Sequence, residues 1–301
     1  MAPYPSDHAR PAVPFLVATA AIMVFTTMDG VVKSLPATIP VMQIVAMRFA
    51  FGIPMVLAAM RLSGGVWPSL ASWKANAPRG LLSMASTLLF FTALRHLPFA
   101  EALSLSYVGP LMVALIAAAV LGERLRLGVI GPILLGLAGV GVIAHDSLTR
   151  HTGLSTDLIG IAAAIGSALT YAIGNVLLRS QAQRDHATSI VLIQHIVPTL
   201  LATPLAIAGW EAPSTAIWMV FPLLALFGVT GHFLLVWAFG RAPAGVLAVV
   251  DYLALPYAAL IGFLFFGEIP TAAMWLGAAF IVAACLIVTR QKKQAQKQAQ
   301  K

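Results

Sequence analysis

Apolar residues run along this chain in long stretches, broken by short polar, proline- or glycine-bearing connections. A helix needs roughly 20 apolar residues to cross about 30 Å of hydrocarbon. By that measure the pattern predicts ten spans, over 12–34, 40–61, 77–96, 100–121, 127–146, 156–179, 187–209, 215–240, 244–266 and 271–290. The connections are mostly short, so consecutive helices run antiparallel, and no soluble domain fits between them. The first apolar stretch is too long for a cleavable signal peptide and leads directly into others. The closing QKKQAQKQAQK is polar and low in complexity, and reads as a disordered or frayed basic tail over 291–301.

One stretch occurs twice. Shifting Ala93–Glu123 by 145 positions lays it on Ala238–Glu268, with identities at Ala93/Ala238, Pro98/Pro243, Tyr107/Tyr252, Ala114/Ala259, Leu115/Leu260, Ile116/Ile261, Gly122/Gly267 and Glu123/Glu268. Each copy reads as a helix end, a proline-containing turn, a long apolar helix interrupted by one proline, and Gly-Glu at its exit. Pro256 sits one place after the counterpart of Pro110, so the repeat has drifted. A recurrence at nearly half the length signals internal duplication, with one five-helix unit over 12–146 and a second over 156–290.

Composition settles the class. Hydrophobic residues make up 60% of the 301 and charged residues 9%, with mean hydropathy +0.92; soluble domains carry about 25% charge. The chain is therefore an all-α polytopic membrane protein. The single Cys285 lies in an apolar run and excludes a disulfide scaffold or a cysteine-based zinc site. A formal charge of +8 would suggest nucleic acid in a soluble protein. Here Arg290, Lys292, Lys293, Lys297 and Lys301 follow the last apolar run, which suits a cytoplasmic tail and no nucleic-acid partner.

With the N-terminus inside, the cytoplasmic segments also hold Arg10, Arg61, Lys74, Arg79, Arg124, Arg126, Arg179, Arg184 and Arg241, against Lys33, Arg95 and Arg150 opposite. Both termini are thus expected in the cytoplasm. The repeat shift covers five helices, an odd number, so the second unit enters from the opposite face. The halves are inverted repeats about an axis in the membrane plane, an arrangement found in secondary transporters with a midplane substrate site. Glycines at 131, 136, 139 and 141, and at 160, 166 and 174, are expected to let helices approach closely.

The pattern Ala93, Leu94, Leu97, Pro98, Ala102, Tyr107, Pro110, Gly122, Glu123, repeated as Ala238, Pro243, Tyr252, Pro256, Gly267, Glu268, resembles the EamA-type drug/metabolite transporter superfamily over about residues 12–290. By length and short loops the chain looks closest to bacterial amino-acid exporters, including the YddG-type aromatic amino-acid exporters. The resemblance implies export of amino acids, aromatic or other neutral ones, or of similar small metabolites across the bacterial inner membrane. It also places a cavity among spans one, three, four, six, eight and nine. It calls for no cofactor, and for no partner beyond the small-molecule substrate and the lipid bilayer, and leaves the oligomeric state open between a monomer and a larger assembly.

Ionisable groups inside a span cost about 2.5–3.5 kcal/mol at mid-membrane and so point to function. Arg48, with Gln43 about one and a half turns earlier, is a candidate for bidentate binding of a carboxylate or phosphate; its alternative is a structural pairing. Asp251 precedes Tyr252 and Pro256 in span nine, where a proline permits local unwinding. It is a candidate to receive a substrate ammonium or to carry a proton, and its repeat counterpart is Ser106. His195 and His232 are candidate proton carriers, with a single interhelical hydrogen bond each as the alternative. Asp29 and Lys33, four apart, are expected to pair rather than to contact substrate, and Glu101 to complement a helix start. Ser83, Thr87, Phe90 and Phe91, then Ser104 with Tyr107, Tyr171 with Asn175, and Trp237 supply the apolar-with-few-polar mixture of a substrate pocket. Pro98, Pro110, Pro243 and Pro256 are candidate hinges.

Two other functions compete with an amino-acid exporter: a carrier of an anionic or phosphorylated metabolite or drug, anchored by Arg48, and an intramembrane enzyme. The enzyme finds no support in HExxH, G-x-S-x-G, a P-loop or paired carboxylates, and no metal-ligand spacing is present.

Overall fold

The computed structural model describes residues 12–106, 108–109, 112–113, 116, 127–150, 154–269 and 271–299. Among the described residues every regular element is helical: α1 (Ala12–Ser34), α2 (Val41–Leu62), α3 (Leu70–His96), α4 (Phe99–Ser106), α5 (Leu127–Arg150), α6 (Leu154–Gln181), α7 (Ala187–Ala208), α8 (Thr215–Arg241), α9 (Ala244–Leu247), a 3₁₀ segment (Ala248–Leu253), α10 (Ala254–Phe266) and α11 (Ala272–Ala299). Within this set α1, α2, α3, α6, α7 and α8 are long and apolar enough to cross a membrane, and shorter apolar helices lie at Ile130–Val142, Val250–Phe266 and Ala272–Ala284. Side chains such as Leu200, Met219, Phe265 and Trp275 point outward. Lipid is the solvent that tolerates such a surface.

Three sequence expectations shift. α3 starts at Leu70 rather than 77, because Ser69 caps it: the Ser72 amide donates to Ser69 Oγ at 3.1 Å. α11 continues through Ala299 instead of ending at 290; alanine, glutamine and lysine are good helix formers, and no glycine or proline stops them. The ninth span is not one α-helix. It changes to 3₁₀ geometry over Ala248–Leu253, which holds Asp251, and Pro256 then falls in the first turn of α10, where a missing N–H costs little.

The packing repeats across the two units. The 145-residue shift maps α1 on α6, α2 on α7, α3 on α8, α4 on α9 with the 3₁₀ segment, and α5 on α11. α3 packs on α6, and correspondingly α8 on α1; α3 packs on α7, and α8 on α2; α4 packs on α6, and the 3₁₀ segment on α1. The large α2 with α7 and α5 with α11 interfaces join an element to its own counterpart. Such reciprocity is what a pseudo-two-fold axis produces.

The hydrogen bonds show that the axis inverts the units. At one face the end of α1 meets the turn after α10, through Lys33 and Glu268, and Gln43 at the start of α2 bonds Glu211 in the α7–α8 connection. At the other face Gln181, ending α6, donates to the Ala75 carbonyl early in α3, and Arg179 donates to the Phe239 carbonyl at the end of α8. α8 joins these faces, and its 27 residues span about 40 Å. α1 and its counterpart α6 therefore end on opposite sides.

Several glycines permit the tight crossings. A Cβ on Gly136 would lie 2.6 Å from the Tyr252 ring, and one on Gly139 would lie 2.6 Å from the Gly277 carbonyl across α5 and α11. Gly131 and Gly141 face open space instead, so they do not serve that purpose.

Candidate functional site

A cavity of about 190 Å³ lies between the two units. α1 contributes Ile22, Phe25, Thr26, Met28 and Asp29; α2, Arg48; α4, Leu103 and Ser106; α7, Gln194; α8, His232 and Leu235. α3 supplies one stripe, Arg79, Ser83, Ser86, Thr87 and Phe90, at the spacing of a single helix face, with Leu82 and Phe91 beside it. α6 supplies Ser167, Ala168, Thr170, Tyr171, Gly174 and Asn175, and the 3₁₀ segment with α10 adds Asp251 and Ala254.

The lining follows the duplication closely. Ile22/Ser167, Phe25/Thr170, Thr26/Tyr171, Asp29/Gly174, Thr87/His232, Phe90/Leu235 and Ser106/Asp251 are all pairs under the 145 shift, and both members of each pair line the cavity. Every charge breaks this symmetry. Asp29 faces a glycine counterpart, Arg48 corresponds to Ile193, Arg79 to Leu224 and Asp251 to Ser106. The scaffold is symmetric and its chemistry is not.

Arg48 is 3% exposed. Its Nη1 donates to Thr87 Oγ1 at 2.9 Å, and its guanidinium lies 4.7 Å from the centre of the Phe49 ring. Its Nε has no acceptor. Gly228 backs this side chain, since a Cβ there would lie 3.0 Å from Nε. Asp29 interacts electrostatically with Arg48. Asp251 accepts from the Tyr171 hydroxyl at 3.4 Å, and Gln194 Nε2 donates to Ser83 Oγ at 2.8 Å. Arg79 is 4% exposed and has no hydrogen-bond or ion-pair partner among the described residues. Phe25, Phe90 and Phe91 form the apolar wall. The arrangement can hold a cation and an anion at once beside an apolar group.

Of the residues singled out by sequence, Arg48, Ser83, Thr87, Phe90, Tyr171, Asn175, His232 and Asp251 line this space. Others do not. Gln43 is committed to the Glu211 backbone, donating through Nε2 at 2.8 Å and accepting through Oε1 at 3.1 Å, which fastens α2 to the α7–α8 connection. Ser104 is buried and donates to the Ala100 carbonyl in its own helix at 2.7 Å. Trp237 lies under the Arg241 guanidinium, 4.1 Å away, one turn from the end of α8. Tyr252 is fully buried against Gly136 of α5, because neighbouring positions of the 3₁₀ segment point in different directions and only Asp251 faces the cavity. Tyr107 and Pro110 lie outside the described residues.

His195 sits behind the lining. Its Nδ1 donates to the Val191 carbonyl at 2.8 Å, and its ring stands edge-on to Phe49 and to His232 at 5.5 and 5.4 Å. Among the proposed hinges, Pro98 and Pro243 occupy the turns before α4 and α9, where their carbonyls accept from the Ala102 and Leu247 amides.

Sequence reasoning missed Asp29, Arg79 and Gln194 as lining residues. Asp29 was expected to pair with Lys33, but Lys33 reaches past the end of α1 to Glu268 at 3.1 Å and to the Leu97 carbonyl at 3.3 Å. The signals were present: Asp29 lies one turn from Thr26, the counterpart of Tyr171, and Arg79 begins the Ser83–Thr87 stripe.

The EamA-like transporter family model matches residues 11–144 and 158–290. Over 285 residues the chain is 30% identical to a pseudopaline exporter of Pseudomonas aeruginosa, covering 92% of this chain and 96% of that one. A riboflavin transporter of Rhizobium johnstonii is 28% identical over 251 residues, 81% of this chain and 78% of that one. A crystal structure 22% identical in sequence superposes with a TM-score of 0.76 over 92% of this chain and 98% of that one, a likeness of fold.

Proposed function

The chain belongs to the EamA-like transporter family, secondary transporters of small metabolites rather than enzymes, and on that premise we propose that it exports a zwitterionic metabolite of amino-acid type by alternating access. The observation that carries this reading is the charge set of the cavity: Asp29 and Asp251 with Arg48, brought together in one space although they stand on different elements. A solute bearing an ammonium and a carboxylate replaces the water these groups lose on burial, through charge-assisted hydrogen bonds. In this assignment Arg48 holds the carboxylate and Asp251, with Tyr171, holds the ammonium.

The volume supports a modest solute, being below the 300–1,000 Å³ of drug-sized pockets. Phe25, Phe90 and Phe91 accommodate an apolar or aromatic side chain, so the YddG-type aromatic amino-acid exporters stay within the reading. Export rather than uptake is taken from the pseudopaline exporter. The excess of Lys and Arg in alternate connections supports both termini in the cytoplasm of a bacterial inner-membrane protein. Rocking of one helix set against the other about the pseudo-two-fold axis would open the cavity to each side in turn.

Flux of labelled amino acids through purified protein in liposomes, with and without an imposed pH gradient, tests this. Saturable flux is expected, and its response to the gradient separates proton coupling from facilitated diffusion. No flux for any amino acid through folded protein would refute the substrate assignment.

A further inference from the structure

A single carboxylate leaves one buried cation unexplained. Arg79 lines the same cavity, is 4% exposed, and presents its guanidinium to no acceptor among the described residues. An arginine is never discharged in practice, and a buried unpaired charge is among the most costly features a protein can carry. One turn above it on α3, Ser83 accepts from Gln194 Nε2 at 2.8 Å and so keeps its own hydroxyl proton to donate. Asp29 does not neutralise Arg79, because its electrostatic partner is Arg48.

The two arginines are separate poles. Arg48 is pinned at the level of Thr87, two turns of α3 beyond Arg79, or about 12 Å along the axis at 1.5 Å per residue. Arg48 is moreover engaged by Thr87 and Asp29, whereas Arg79 is engaged by neither.

We propose that Arg79, with the Ser83 hydroxyl, forms a second anion subsite, so that the solute is an amino compound with two acidic groups at opposite ends of an extended chain. One carboxylate sits on Arg48 and Thr87, the ammonium lies by the cavity aspartates, and the far carboxylate sits on Arg79. Its oxygens accept from the guanidinium and from the Ser83 hydroxyl. The inference rests on the zwitterion reading above and narrows it.

The test uses two probes of equal length, 2-aminosuberate and 2-aminooctanoate, which differ in the terminal carboxylate. Each competes against labelled substrate for the purified full-length protein in liposomes. The diacid is expected to compete at least about tenfold better, the worth of one charge-assisted hydrogen bond. In Arg79→Gln that ratio falls to about one, and in Arg79→Lys it is partly kept. Equal competition by the two probes in the wild type would overturn the second subsite while leaving the zwitterion reading intact. A ratio that persists in Arg79→Gln would overturn the role of Arg79. Competition by neither probe would point instead to failure of the amino-acid reading itself. Because the wild-type ratio alone can refute the proposal, a variant that failed to fold would not shelter it.

Discussion

Lys33 Nζ lies 3.1 Å from Glu268 Oε1 and joins the end of α1 to the turn that follows α10. The contact is built by the Gly-Glu pair that closes the repeat. Gly267 adopts φ +67°, a left-handed conformation that favours glycine, and the Glu268 amide then bonds the Gly262 carbonyl at 3.0 Å. The chain turns back over the helix end, and the same carboxylate oxygen also accepts from the Phe99 amide at 3.2 Å. One glutamate thus ties three elements together at one face of the molecule.

Glu268→Gln should loosen the closure of that face while keeping an acceptor for Phe99. The two side chains are 16% and 29% exposed, so screening limits the pair to about 0.2–1 kcal/mol. A cysteine at Ser106, in a Cys285→Ala background, should react up to about fivefold faster with an impermeant maleimide applied from the Glu268 side. An unchanged rate would show that the pair does not seal the cavity.

Gly228→Ala should weaken substrate binding without touching the substrate. The added methyl would stand 3.0 Å from Arg48 Nε and 3.2 Å from Nη2, so the guanidinium must move off its place beside Thr87. KM is expected to rise by roughly three- to tenfold, with folding little changed, because the strain falls on a flexible side chain. Transport assays over a concentration series, with chromatography to check folding, decide it.

Asp251→Asn should reduce transport at least about tenfold with the protein still folded, because the amide keeps the shape and the Tyr171 contact but loses the charge that faces an ammonium. Wild-type flux in this variant would remove Asp251 from the site.

Asp185→Ala should lower stability rather than change specificity. Asp185 accepts from Ser72 Oγ and Asn76 Nδ2, both at 2.7 Å, clamping the α6–α7 connection onto the start of α3. Losing it leaves one buried Asn76 N–H without its acceptor, while Ser72 Oγ keeps Ser69 Oγ as a partner, at a cost of about 1–3 kcal/mol. A lower unfolding temperature in detergent is the expected readout, with substrate preference in liposomes unaltered.

The class, the duplication and the inversion were legible in the linear chain, each for a simple reason. An apolar run of membrane length has no other stable home, and an odd number of helices in a repeat reverses its direction. Polar residues such as Arg48, Tyr171, Asn175 and Asp251 stood out because charge and hydrogen-bonding groups are rare in such runs. What the chain alone did not settle was partnership. A position on a helix specifies depth and face relative to its own axis, not which neighbour that face meets. Hence Asp29, four residues from Lys33, turned out to face Arg48 on α2, while Lys33 crossed to Glu268. Gln43, near Arg48 in sequence, was taken by the Glu211 backbone, and Tyr252, adjacent to Asp251, was buried against Gly136. Arg79 looked like a cytoplasmic charge until packing drew it inside. Sequence determined the symmetric frame because the frame depends on length and periodicity; the asymmetric charge set needed tertiary structure, because it depends on which helices touch.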